Sequence, residues 1–185
     1  MKYSAIEIIR HLENYWETQS YVLTDGYGPK QKLHEDFKVV EFLPGGKHDF
    51  WIYSTAGMSI GRTDGRNIEL HIFSNKQDRG LIRVLASAAS FHKNIEPLGL
   101  NHTVYIGMPW QNNSKCDHAF ISLPYLDGEA LELFENPNGH LHNFWLIPIT
   151  ETERNFKVEH GWEKLEVLFE EQRLNYLDAT KESLI

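Results

Sequence analysis

The sequence has little of what several protein classes depend on. Cys116 is its single cysteine, so no disulfide can form within the chain, and a reducing cytoplasm is the expected location. No apolar run approaches the roughly 18 residues of a membrane span, and the N-terminus lacks the apolar segment of a signal peptide. Lysine and arginine total 18 against 26 aspartate and glutamate, a formal net charge of −8. This shortage of positive charge argues against nucleic-acid binding.

Two common signatures of catalytic sites are also missing. Gly57, Gly61 and Gly65 precede no predicted helix, and no Gly-Lys-Ser/Thr occurs, so no phosphate-binding loop is predicted. His34-Glu35 lacks the second histidine of a HExxH zinc-protease motif. The sequence therefore predicts no catalytic residue and no cofactor.

The length and the patterning favour one α+β domain over residues 1–185, in which helices pack on a mixed, largely antiparallel sheet. A capping box at Ser4 and Glu7 opens an N-terminal helix within residues 1–20, and Ser74 or Asn75 is expected to cap a helix over 81–92. Residues 24–36 are expected to form a loop, and residues 178–185 a frayed tail. The predicted strands are 37–43, 50–54, 68–72, 103–106, 119–123, 131–134 and 141–149, and the last two flank the turn Asn136-Pro137-Asn138-Gly139.

A strand that turns directly into a helix is the strongest local signal in the chain. The apolar run 144–149 indicates a buried strand, and Thr150 with Glu153 forms a second capping box. His160-Gly161 suits the end of that helix, and a second apolar stripe follows. Trp16, Trp51, Trp145 and Trp162 lie within apolar patterns and are expected in the core.

A metal-dependent hydrolase is an alternative raised by two short histidine spacings. Cys116 and His118 are two residues apart, as are His140 and His142, so each pair shares one face of its strand. If those strands were neighbours, the four side chains could converge on zinc. Asp117 is expected to point to the opposite strand face and hence not to orient His118.

Two polar loops supply candidate partner-binding residues. Trp110 lies among polar residues in a segment that looks exposed, which suits an aromatic anchor of a protein interface, with packing of this loop onto its own domain as the alternative. Asp127 and Glu129 lie in an acidic loop that could steer a basic partner.

Several segments, in order, resemble the suppressor of fused (SUFU) domain family. Trp51-Ile52-Tyr53-Ser54-Thr55-Ala56-Gly57 is similar to its "W-x-Y-x-T-x-G" strand and turn, and Ile68-Glu69-Leu70 to its hydrophobic-Glu-Leu strand. Further matches are the following helix, the strands 101–104 and 116–125, and the strand, Pro-Ile-Thr junction and helices at the C-terminal end. The resemblance covers roughly residues 35–175 and is closest to compact bacterial members with a single domain.

The resemblance implies a protein-binding module without catalysis. Animal members sequester a transcription factor, and bacterial members are mostly inferred to be immunity proteins that neutralise toxin proteins. The animal proteins clamp an extended peptide between two domains by strand addition. At the place of Asn101, just before a histidine similar to His102, they carry an acidic residue that contacts the peptide, so the resemblance makes Asn101 and His102 candidate partner-binding residues. We therefore expect an immunity-type protein that binds a protein partner, with a regulator or a homodimeric scaffold as open alternatives and the oligomeric state unknown.

Overall fold

The structure, a computed structural model, describes residues 3–23, 33–137 and 139–185. Most of the predicted loop 24–36, at residues 24–32, lies outside the described residues, as do Asn138 of the predicted turn and the first two residues. The strands are β1 Ser20–Leu23, β2 Lys38–Phe42, β3 Trp51–Ala56, β4 Ile68–Ser74, β5 Thr103–Tyr105, β6 His118–Ser122, β7 Leu133–Asn136 and β8 Gly139–Ile149. The helices are α1 Ala5–Trp16, α2 Leu81–Asn94, α3 Glu129–Glu132, α4 Glu151–His160 and α5 Trp162–Glu171.

The eight strands form one mixed sheet. Its order is β1-β2-β3-β4-β8-β6-β5, and β7 pairs with β8 outside this path. Strands β4 and β8 run parallel, whereas the other recorded pairs are antiparallel. The α+β class with a largely antiparallel sheet is therefore confirmed, and so is the hairpin of β7 and β8.

Helices cover both faces of the sheet. The apolar stripe of α2, which includes Leu81, Leu85 and Ala89, packs on one face. On the other face, α1 contributes Leu12 and Trp16, and α5 contributes Leu165 and Phe169. Alternate residues of the central strands enter the two cores, as the period of two in a strand requires.

The central position of β4 explains why its whole length is buried. Leu70 and Ile72 face the α2 core and Phe73 faces the α1 core. Because both faces of β4 are covered, its polar residues Glu69 and His71 are buried as well. The alternating sequence correctly indicated the strand. An alternating strand normally has one face exposed to solvent, whereas both faces of β4 are buried.

Two elements differ from their prediction. Gly80, not Ser74 or Asn75, occupies the N-cap of α2. The buried Ser74 hydroxyl instead donates to the Lys76 carbonyl at 2.7 Å and accepts from Gln111 Nε2 at 2.7 Å. At the other end of the chain, Trp162 opens α5 and is 36% exposed, so its expected place in the core is wrong.

The tail is docked onto the domain, contrary to the expected fraying. Lys181 Nζ lies 2.7 Å from Glu153 Oε1, and the backbone N–H of Leu184 donates to the same oxygen at 3.2 Å. Glu153 also completes the predicted capping box, since its carboxylate accepts from the Thr150 N–H at 2.7 Å. One buried carboxylate thus holds both the start of α4 and the end of the chain.

Candidate protein-binding edge

Strand β5 lies at one end of the sheet and pairs only with β6 among the described strands. The His102 carbonyl accepts from Ile121, and the Ile106 N–H donates to Asp117. Backbone groups alternate in direction along an antiparallel strand. The N–H and C=O groups of Thr103 and Tyr105 therefore point away from β6, along the free edge.

Tyr105 is the most exposed side chain of this edge, at 63%. Its ring centroid lies 5.0 Å from that of His118, whose Nδ1 is 2.7 Å from Asp117 Oδ1. The expectation that Asp117 cannot reach His118 is wrong, because β6 begins at His118 and Asp117 is not constrained by the alternation of the strand. The three side chains form one aromatic and polar cluster beside the free backbone groups.

Asn101 has a conformational role at the start of this edge. Its φ of 65° is left-handed, a region that asparagine tolerates better than most residues. The Asn101 N–H donates to the Ile121 carbonyl, and the His102 carbonyl accepts from the Ile121 N–H. Two consecutive residues therefore lie opposite one residue of β6, as in a β-bulge whose first residue has a left-handed conformation. Burial lowers the pKa of the neighbouring His102, and the positive charges of Lys157 and Arg66 lower it further.

Trp110 lies in the core, and its predicted exposure is wrong. Its side chain is 3% exposed and belongs to the cluster on the α2 face. The Trp110 N–H donates to the Cys116 carbonyl at 3.0 Å, and the neighbouring Gln111 bonds to Ser74. These bonds turn the polar loop back onto its own domain, which removes Trp110 from the surface available to a partner.

The Asp127 side chain is also buried, contrary to its expected place in a steering loop. Only 1% of it is exposed. Its Oδ1 accepts from Trp16 Nε1 at 3.1 Å and lies 2.7 Å from His48 Nε2. Asp127 therefore ties α1 to the residues ahead of β3, whereas Glu129, at the start of α3, is exposed as expected.

The four suggested zinc ligands lie at opposite ends of neighbouring strands. His118 pairs with Ile149 in the antiparallel register of β6 and β8. Ile149 follows His142 by seven positions along β8, roughly 23 Å at the usual rise of a strand. Cys116 is buried, and burial raises the pKa of its thiol. Within the described residues, no cluster of three or more histidine, cysteine, aspartate or glutamate side chains could hold a metal ion.

Comparisons with known proteins agree with the topology. The family model for suppressor of fused protein matches residues 34–181. A crystal structure of a SUFU homolog from Neisseria gonorrhoeae FA 1090 matches with a TM-score of 0.82 and 32% identity, covering 98% of this chain and 96% of that one. The chain belongs to the suppressor of fused family.

More distant SUFU structures share the fold. A chain of the Sufu-Fu complex matches with a TM-score of 0.70 at 11% identity, covering 98% of this chain and 92% of that one. Drosophila Suppressor of Fused matches with a TM-score of 0.67 at 10% identity, covering 96% of this chain and 50% of that one. This chain thus spans half the length of the Drosophila protein. The comparison with curated proteins gave no match.

The residues of the W-x-Y-x-T-x-G and hydrophobic-Glu-Leu segments form hydrogen bonds in the interior that stabilise the fold. The Glu69 carboxylate accepts from the N–H groups of Gly57 and Met58, at 2.8 and 3.0 Å. Thr55 Oγ1 accepts from the Leu70 N–H at 2.9 Å. The Tyr53 hydroxyl donates to Glu41 at 2.8 Å. The bonds of Glu69 and Thr55 hold the end of β3 and the turn after it against β4, and the Tyr53–Glu41 bond ties β3 to β2, so these motif residues stabilise the fold.

Proposed function

We propose that this chain is a non-catalytic protein-binding module of the immunity type, which neutralises a toxin protein by stoichiometric binding. The partner would add an extended segment to the free edge of β5. The observation that carries this proposal is the outward direction of the Thr103 and Tyr105 backbone groups beside an exposed tyrosine. An unpaired strand edge of this kind is the template for strand addition.

Family membership and the positions of the histidines and of Cys116 support a role without catalysis. A Sufu-Fu complex is known for a distant relative, which matches this chain in fold. In the part of the chain that the structure describes, the suggested ligands do not meet and Cys116 is buried. Asn101 serves a bulge where the resemblance implies an acidic contact in animal proteins, so clamping of the animal kind is less well supported. The free cysteine fits the proposed cytoplasmic location.

Main-chain bonds alone would not hold such a complex together. Each hydrogen bond to Thr103 or Tyr105 is worth only about 0.5–1.5 kcal/mol net. A nanomolar complex needs roughly 12 kcal/mol. Most of the affinity must therefore come from side chains, and the exposed Tyr105 ring is the first candidate at this edge.

A proline substitution tests the edge directly. Thr103→Pro removes an outward N–H and leaves the bonds between β5 and β6 intact, so the fold should survive. Val22→Pro is the matched control on the opposite edge, because its N–H also points away from its neighbour β2. Against the protein encoded by the neighbouring gene, we expect about ten-fold weaker binding for Thr103→Pro, close to the value of one lost hydrogen bond, and no change for Val22→Pro.

Circular dichroism and melting temperatures of both variants would confirm that they fold. Equal affinity of Thr103→Pro and the unsubstituted protein would remove β5 from the interface. Chemical turnover of the partner, or the absence of any bound protein, would refute the proposed function as a whole.

A further inference from the structure

An aromatic groove of about 270 Å³ lies between α5 and the ends of β6 and β8. The buried Trp145 and Phe169 form its floor, and the half-buried Tyr176 lies against Trp145 with ring centroids 5.0 Å apart. Tyr125, which is 60% exposed, stands at the rim. The volume is below the range of cofactor pockets, so it suits a single side chain.

A fixed carboxylate faces this groove. The Ser122 hydroxyl donates to Glu166 Oε1 at 2.8 Å, and the Tyr125 hydroxyl donates to Oε2 at 3.1 Å. Ser122 is fully buried, so its hydroxyl fixes the Glu166 carboxylate from the interior side of the groove. Each carboxylate oxygen can still accept another bond. The groove therefore presents a carboxylate of fixed orientation whose oxygens can each accept a further hydrogen bond from a ligand.

The charges around the groove are unfavourable for the helix that carries them. Glu166 and Glu170 both line the groove and are four residues apart on α5, which places two negative charges side by side. They lie toward the C-terminal end of the helix, where the dipole is also negative and the last turn holds no basic residue. Arg173 lies beyond that end and does not line the groove. The lining residues that the structure describes include no lysine or arginine, so a cation that pairs with these carboxylates inside the groove would be supplied by a ligand.

We propose that the groove receives an arginine side chain from the partner protein. The guanidinium group would stack on the faces of Tyr125 and Tyr176 and bond to the carboxylates of Glu166 and Glu170. Arginine suits the site better than lysine because its planar group can stack and bond to a carboxylate at the same time. The inference rests on the proposed function in that the occupant belongs to a protein partner.

A short peptide tests the groove without the partner. The probe is acetyl-Ser-Arg-Ser-amide, titrated into the labelled full chain and followed by amide chemical shifts in nuclear magnetic resonance. We expect saturable shifts at the groove and a millimolar dissociation constant. The citrulline analogue, which keeps the shape and lacks the charge, should bind at least about five-fold more weakly.

Two variants of α5 separate the groove from general attraction to an acidic surface. Glu170→Gln removes an exposed lining carboxylate and should weaken peptide binding at least about three-fold. Glu171→Gln changes the same charge one residue later, outside the groove, and should leave binding unchanged. Equal losses in both variants, equal binding of the citrulline peptide, or no saturable shifts would overturn the proposal.

Shifts of the groove residues that depend on protein concentration alone would assign the groove to a second copy of the chain, which would also overturn it. Failure here is distinguishable from failure of the proposed function. If Thr103→Pro weakens partner binding about ten-fold while the peptide does not bind, the edge proposal stands and the groove proposal falls.

Discussion

At the scale of single residues, burial of polar groups is the feature that sequence patterns described least well. Trp110 and Asp127 lie in polar segments, yet each is buried by contacts with residues distant in the chain. Polar composition predicts surface only when the segment does not return to its own domain. The burial of Trp145 was predicted correctly, because Trp145 lies in an apolar run whose burial can be inferred without knowing its distant contacts.

Buried His71 should make the protein sensitive to acid. Burial lowers the pKa of His71 to about 4, below the value of about 6.5 for an unfolded chain. Its stabilising contribution is therefore complete above pH 6.5 and is lost as the pH falls toward 4. His71→Phe should reduce the loss of unfolding free energy between pH 7.5 and pH 5 by about 2 kcal/mol.

Urea denaturation at the two pH values measures this difference. Exposed His140 supplies the control, since His140→Phe should leave the loss unchanged. Burial also lowers the pKa of His92 to about 4, so part of the acid sensitivity should remain in His71→Phe. An undiminished loss in His71→Phe would show that His71 is not held neutral in the folded protein.

At the scale of elements, local signals predicted the helix starts that depend on neighbours in sequence. Both capping boxes, at Ser4 with Glu7 and at Thr150 with Glu153, are present. The second contact of Glu153, with Lys181, could not be predicted because the partners are 28 positions apart in the chain. Strand β1 was missed as well, since its residues 20–23 carry little alternation and its partner β2 begins only at Lys38.

The pair of Lys181 and Glu153 should hold the tail to α4. Lys181→Met leaves the buried Glu153 carboxylate without its cation, which typically costs about 3–5 kcal/mol. Lys115→Met is a matched control, because Lys115 also contacts the tail, at Glu182, but in an exposed pair. It should cost less than about 1 kcal/mol.

Chemical denaturation and carboxypeptidase digestion check this prediction. Lys181→Met should be less stable and should lose its C-terminal residues faster than Lys115→Met. Equal stability of the two variants would show that the tail contributes little and that its docking is incidental.

At the scale of the whole molecule, the sequence predicted the fold class but not the order of the strands. Order depends on which strands meet across long connections, as in the parallel pair β4 and β8. The family resemblance selected the segment 101–104, which proved to begin the edge strand. Tyr105 and the outward backbone groups were missed, because a sequence does not reveal which strand is last in a sheet. Among the described helices, none is long and apolar enough to cross a lipid bilayer.

Amide hydrogen exchange in the complex tests most directly whether β5 is the binding edge. In the free protein the N–H groups of Thr103 and Tyr105 point away from β6 and should exchange readily. In a saturated complex with the partner, both should slow by about ten-fold or more, close to the value of one new hydrogen bond, while the N–H of Val22 on the opposite edge should not change. Unchanged exchange at Thr103 and Tyr105 in that complex would contradict the account.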